Sequence, residues 1–191
     1  TGGIERWGLP ISEVFEEHPG SLTQYYQRGA VDFHKRMDLG GLWTLERRLT
    51  WDYMGGGAGG SADMGVEPAI MNSSDGQLLG PWGHKVSDFD ITGQFIGFRQ
   101  FFDRFEGTDS FGFPKSDARA DTGGAGMLLA QGASLGRVRQ YFQAGVMEFF
   151  PDNPDGYRVQ LTLLGDFLRD VTYPNESWRN LAPFMHANNL G

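Results

Sequence analysis

Part of this chain is written twice, and nothing else in it narrows the possible folds as far. Trp7-Gly8-Leu9-Pro10-Ile11-Ser12-Glu13 returns 104 positions later as Phe111-Gly112-Phe113-Pro114-Lys115-Ser116-Asp117. Gln24-Tyr25-Tyr26-Gln27-Arg28-Gly29-Ala30-Val31-Asp32-Phe33 returns 116 positions later as Gln140-Tyr141-Phe142-Gln143-Ala144-Gly145-Val146-Met147-Glu148-Phe149. A third pairing sets Thr44-Leu45 against Thr162-Leu163, 118 positions on. The offset grows only between blocks, where loops lengthen at small entropic cost. A recurrence that keeps its order predicts one supersecondary unit built two times.

Each block has its own physics. In Gly-Leu-Pro and Gly-Phe-Pro the glycine allows an unusual backbone angle, the proline fixes the next one, and the residue between plugs a core. The second block reads as a β-hairpin: Leu22, Gln24 and Tyr26 alternate with Thr23, Tyr25 and Gln27, a glycine turn follows, and Val31 and Phe33 flank Asp32. Its other copy puts Val138, Phe142, Met147 and Phe149 at the positions of Leu22, Tyr26, Val31 and Phe33, apolar for apolar. Asp32 and Glu148 take the outward parity, which predicts a solvated acidic face.

Helices are expected around the hairpins. Phe98, Phe101, Phe102 and Phe105 fall at i, i+3, i+4 and i+7, one stripe of a helix that Gly107 ends. Leu163, Leu164, Phe167 and Leu168 form a second stripe, matched earlier by Leu45, Arg48 and Leu49. The fold class expected is α+β, as two tandem pseudo-symmetric units of short helix, Gly-aromatic-Pro turn, hairpin and strand leading into helix. The domain reading runs 1–54 for the first unit, 55–90 for a linker and insertion, 91–172 for the second unit, and 173–191 for a C-terminal extension. The first unit lacks a counterpart of residues 97–106, and the chain opens on Thr1-Gly2-Gly3 without Met, so native sequence is expected upstream. Gly55-Gly56-Gly57-Ala58-Gly59-Gly60 is expected to be flexible, with the segment after it wrapping the surface and pinned by Trp82. Asp121 to Leu135 is expected to be a surface loop.

Composition excludes several functions. A formal charge of −8 without any Lys/Arg run beyond Arg47-Arg48 argues against nucleic acid. With no cysteine there are no disulfides, thiol nucleophiles or thiolate zinc sites. No apolar run approaches the roughly 18 residues of a membrane span. The 29 glycines and 15 phenylalanines favour tight turns around a few large side chains over long helices.

The blocks resemble the LGFP-type repeats of bacterial cell-envelope proteins, which pair a Gly-Phe-Pro turn with an aromatic-rich hairpin. They resemble still more the tandem modules of long secreted proteins of Chloroflexota, in which GFP(I/K)S precedes QYFxxAxFEYHP. The matching residues are Gly8-Leu9-Pro10-Ile11-Ser12 and Gly112-Phe113-Pro114-Lys115-Ser116, with the hairpins from Gln24 through His34 and from Gln140 through Pro151. The resemblance implies an extracellular, non-catalytic role, often beside peptidases, amidases or acyltransferases. Leu9 in place of Phe and the long central insertion depart from the pattern.

Reactive constellations are sparse. Glu13, Glu16 and Glu17 could furnish a glycosidase carboxylate but read as a solvated edge. Asp152-Asn153-Pro154-Asp155-Gly156 has the oxygens of a calcium loop, with Asp152 and Asp155 as weak ligand candidates, but lacks the late glutamate and reads as a turn. His84 with Asp88 and Asp90, or His34 with Asp32, are two-group clusters of a kind common by chance. There is no Gly-x-Ser-x-Gly, phosphate loop or dinucleotide fingerprint. Of the aromatic residues suited to stacking on sugars, Trp43 and Trp51 are expected mostly in the core. Trp82, Trp178 and Tyr173, with His84, are the ligand-binding candidates. No cofactor is expected. The function expected is a binding or spacer module outside a bacterial cell, contacting cell-wall glycan or another extracellular protein. A structural subunit of a surface assembly is the alternative, and a glycan hydrolase the third.

Overall fold

The alternation of the second block becomes a hairpin in each half. In a computed structural model that describes residues 3–54, 66–70, 76–120 and 136–175, β2 (Ser21–Tyr26) and β3 (Gly29–Arg36) pair antiparallel, Tyr26 opposite Gly29. β8 (Val138–Phe142) and β9 (Gly145–Phe149) pair the same way, Phe142 opposite Gly145. β1 (Phe15–His18) and β4 (Leu42–Arg47) flank the first hairpin; β7 (Arg119–Ala120) and β10 (Val159–Leu161) flank the second. Both four-stranded sheets therefore run in chain order. A two-stranded ribbon of β5 (Gln77–Leu78) and β6 (Lys85–Val86) and a set of short helices complete an α+β fold.

The Gly-x-Pro block is a clasp on the hairpin, and its contacts recur in both halves. The Ile11 amide donates to the Tyr25 carbonyl at 2.9 Å and the Lys115 amide to that of Tyr141 at 2.8 Å. Ser12 Oγ accepts from the Tyr25 amide, and Ser116 Oγ from that of Tyr141. Gln27 Oε1 accepts from Leu9 N–H and Gln143 Oε1 from Phe113 N–H, while Gln24 and Gln140 donate to the Ser12 and Ser116 carbonyls. Gly8 and Gly112 hold φ of 72° and 70°, and a Cβ on either would lie 2.7 Å from the Cβ of Gln27 or Gln143. The repeated Gly, Ser and Gln residues are thus the ones that bind loop to hairpin.

The helices cross between the halves. α2 (Thr50–Met54) follows the first sheet, yet its Trp51 and Asp52 amides donate to the Gln143 carbonyl of the second hairpin, at 2.9 and 3.1 Å. α5 (Leu164–Thr172) follows the second sheet, and its Gly165 and Asp166 amides donate to the Gln27 carbonyl of the first, at 3.0 and 3.2 Å. These contacts set Trp51 against Gly165, an offset of 114 and not 118, which corrects the third sequence pairing. Thr44 and Leu45 lie in β4, and the helix that answers α5 starts after them. Leu163 is likewise outside the buried face, which is Leu164 and Leu168.

α3 (Phe98–Arg104) carries the phenylalanine stripe, with Phe98, Phe101, Phe102 and Phe105 all buried. One more helix than expected, α4 (Thr108–Phe111), lies between it and Gly112-Phe113-Pro114, and its counterpart before Gly8 is α1 (Gly3–Trp7). The stripe packs on the second sheet with Phe111, Phe142, Met147, Phe149 and Leu161 as one cluster. Residues 76–90 do not simply run along the surface, because Val86 joins this cluster and His84 is also buried. The expected glycine linker and the loop from Asp121 to Leu135 lie outside the described residues. Among the described residues no helix is long and apolar enough to cross a membrane.

Candidate functional site

The sequence candidates do not converge. Trp82 is half-buried, with Lys115 Nζ 5.4 Å from its ring centre. His84 is wholly buried, and its Nδ1 faces Asp117 Oδ2 at 3.3 Å in place of the expected Asp88 and Asp90. Burial alone would raise the Asp117 carboxyl, but His84 and the amides of Ile70 and Lys85 outweigh it and hold it below its ordinary value. Tyr173 lies at the other sheet, edge-on to Phe15 and Tyr25. Trp178 falls outside the described residues. Asp152 and Asp155 sit exposed in the β9–β10 turn, where Asp155 pairs with Arg158 at 3.1 Å. No group of three or more metal-ligating side chains occurs among the described residues.

Three of the carboxylates read as solvent-facing, Glu17, Asp32 and Glu148, are bound to arginines. Glu17 accepts from Tyr25 at 2.5 Å, from Tyr173 at 2.6 Å and from Arg48, whose guanidinium also holds Asp32 at 2.6 Å. Burial would raise the Glu17 carboxyl, yet the hydrogen bonds from Arg48, Tyr173 and Tyr25 prevail and keep it low. Burial and the Glu17 charge push both tyrosines up. In the second sheet Arg139 pairs with Glu148 at 2.6 Å. The outward parity expected of Asp32 and Glu148 is corrected: they lie opposite buried Thr23 and Arg139 on the packed face of each sheet, where Arg48 holds the first acid and Arg139 the second. Glu16 instead turns outward and accepts from the Gly20 amide. Asp52 is held likewise, by buried Lys115 and by Gln143. Glu17, Asp32, Glu148 and Asp52 thus hold elements of the fold together.

The surface that does stand open is the outer face of the first sheet. Cross-strand register puts Glu16, Leu22, Phe33 and Leu45 in one row, Lys35 and Trp43 in the next, and Gln24, Val31 and Arg47 on the other side. Phe33 and Trp43 stack with centroids 4.9 Å apart, and Lys35 Nζ sits 5.4 Å from the Trp43 ring. Leu45 is 72% exposed, Trp43 47% and Phe33 37%. At the near end Trp7 of α1 covers Tyr26 at 5.6 Å, as Phe111 of α4 covers Phe142 at 6.0 Å. Past that point the halves differ: α3 closes the second sheet and no described element closes the first. Trp43 and Leu45 extend the alternation of β4, a signal hidden while Leu45 was counted in a helical stripe.

No protein-family model matches this chain, no curated protein matches it in sequence, and no solved structure matches it in fold.

Proposed function

We propose that this chain is a non-catalytic contact module of the bacterial cell exterior, built from two copies of one clasped-hairpin unit, and that it engages a protein partner through the outer face of its first sheet. The observation that carries this reading is the row Leu22, Phe33, Leu45 beside Trp43, open to water in a fold that covers the matching row of its other sheet. An exposed apolar patch of this kind marks an interaction surface more often than chance. Leucines flank the aromatic pair, which suits a protein better than a sugar, since sugar sites add polar groups beside the stacking ring. The recurring clasp supports duplication, and the resemblance to LGFP-type repeats supports an extracellular setting. The acids are committed to arginine or lysine partners, which favours a structural role for them over a hydrolytic one.

The test is retention of the purified chain on isolated bacterial cell envelopes, with and without prior protease treatment of the envelopes. Wild-type chain is expected to be retained by untreated envelopes and to lose retention after protease. A Leu45→Glu variant is expected to lose it in both. Retention that survives protease but not muramidase would replace the protein partner with glycan.

A further inference from the structure

The second sheet displays what a closed outer face looks like, and it supplies a template for the open one. Position by position, Val138, Phe142, Met147, Phe149, Val159 and Leu161 stand where Leu22, Tyr26, Val31, Phe33, Leu45 and Arg47 stand in the first sheet. The first set is covered by the phenylalanine stripe of α3, where Phe102 stacks on Phe142 at 5.5 Å and on Phe111 at 5.7 Å. The helix is also keyed by charge. Arg104, at its C-terminal end, reaches Glu5 of α1 at 2.7 Å. In the other half the residue that answers Glu5 is Asp109 of α4. It is exposed, and among the described residues no cation reaches it. The open face thus offers a similar apolar row, with Arg47 in the place of Leu161, and the acid that answers Glu5 has no base among the described residues.

We infer that the outer face of the first sheet is the seat of an amphipathic helix from a partner polypeptide. That helix carries large apolar side chains, phenylalanine foremost, at i, i+3, i+4 and i+7, and a basic residue six positions after the first of them, directed at Asp109. The spacing is that of Phe98, Phe101, Phe102, Phe105 and Arg104. A second copy of this chain is disfavoured as the donor, because its own α3 is buried against its own sheet. Leu45, a longer side chain than the Val159 that answers it, and the stacked Phe33–Trp43 pair would pack between the partner's phenylalanines. The inference rests on the reading of this face as a contact surface and names its occupant.

The experiment uses the full chain and a labelled peptide with the sequence of residues 97–107 added in trans, read by fluorescence anisotropy. The free peptide is too short to hold a helix alone, so saturable binding is expected only at about 10–100 μM. Leu45→Glu in the protein is expected to weaken it at least ten-fold, and replacing the four phenylalanines of the peptide by serine should abolish it. Asp109→Lys should weaken the wild-type peptide several-fold and restore binding to a peptide whose Arg104 position is Glu. That rescue fixes the orientation of the helix. Equal binding to wild type and to Leu45→Glu would overturn the inference, as would a wild-type chain that dimerises by light scattering and reverts to monomer with Leu45→Glu. If the peptide fails while Leu45→Glu still abolishes envelope retention, the contact surface stands and the helix falls. If Leu45→Glu alters neither, both fall.

Discussion

Phe33 and Phe149 are the same residue at the same register of the same kind of sheet, yet one is 37% exposed and the other 6%. Strand chemistry does not separate them, since both lie on alternating apolar parity and both strands pair on two sides. The neighbour does. Phe98, Phe101, Phe102 and Phe105 join Phe149 in one buried cluster, and no described element lies over Phe33. A sheet face is therefore not core by its own sequence. It becomes core when an apolar stripe arrives to cover it, each large side chain then contributing about 1.5–3 kcal/mol of burial.

The largest expected effect measures that difference. Phe149→Ala should cost about 4 kcal/mol through lost burial and a cavity beneath α3, while Phe33→Ala should cost about 1 kcal/mol or less, as at a partly solvated site. Denaturant unfolding of both variants checks it, and equal losses would erase the distinction between the faces.

The crossed helices sharpen the comparison. A Cβ on Gly165 would lie 1.8 Å from the Tyr26 carbonyl oxygen and within 2.7 Å of the Gly29 backbone, so the first hairpin admits only glycine there. The second hairpin instead receives Trp51, which packs on Tyr141 at 5.0 Å. Gly165→Ala should cost about 3 kcal/mol by forcing backbone apart, read as a fall in Tm. It should also speed hydrogen exchange in the first hairpin ahead of the second. Uniform acceleration in both would contradict the crossed arrangement.

The buried polar networks differ between the halves too. Glu17 is held below its ordinary carboxyl value, so it binds a proton more weakly in the folded chain than in the unfolded one. Its contribution is complete above about pH 4.5, the unfolded value, and disappears as pH falls through the folded value. Glu17→Gln should cost about 2 kcal/mol at pH 7, leaving Arg48 with one anion fewer, and should flatten the acid limb of the stability profile. A variant with an unchanged acid limb would show that Glu17 does not couple to folding.

Much of this molecule was legible in the sequence, and the part that was not has a physical reason. The Gly-x-Pro turns, the hairpins and the phenylalanine stripe were written in local residue types whose spacing sets backbone conformation directly, but Leu9 and Phe113, expected to plug a core, are 53% and 39% exposed. The exchange of α2 and α5 was not, because a helix shows its apolar positions but not which hairpin they meet. The burial of Glu17, Asp32 and Glu148 was missed for the same reason. Parity groups the residues that share a face, and only tertiary packing brings Arg48 or Arg139 beside them. Of the residues expected to stack on sugars, Trp82 is half-buried with Lys115 Nζ 5.4 Å from its ring centre, Tyr173 donates to Glu17, and Trp178 lies outside the described residues. Trp43, which is 47% exposed, was expected mostly in the core because tryptophan is usually well buried.

The smallest expected effect on stability belongs to the open face itself. Leu45→Glu should change folding stability by about 0.5 kcal/mol or less, because the side chain already meets water. A loss above about 2 kcal/mol would mean that Leu45 is buried in solution.

The most direct test of an open first face against a shut second one is hydroxyl-radical footprinting of the free chain, read at Phe33, Trp43 and Leu45 and at Phe149, Val159 and Leu161. The first three should label at rates approaching those of the unfolded chain, and the last three far more slowly. Labelling of Phe33 and Trp43 as slow as that of Phe149 would contradict the account.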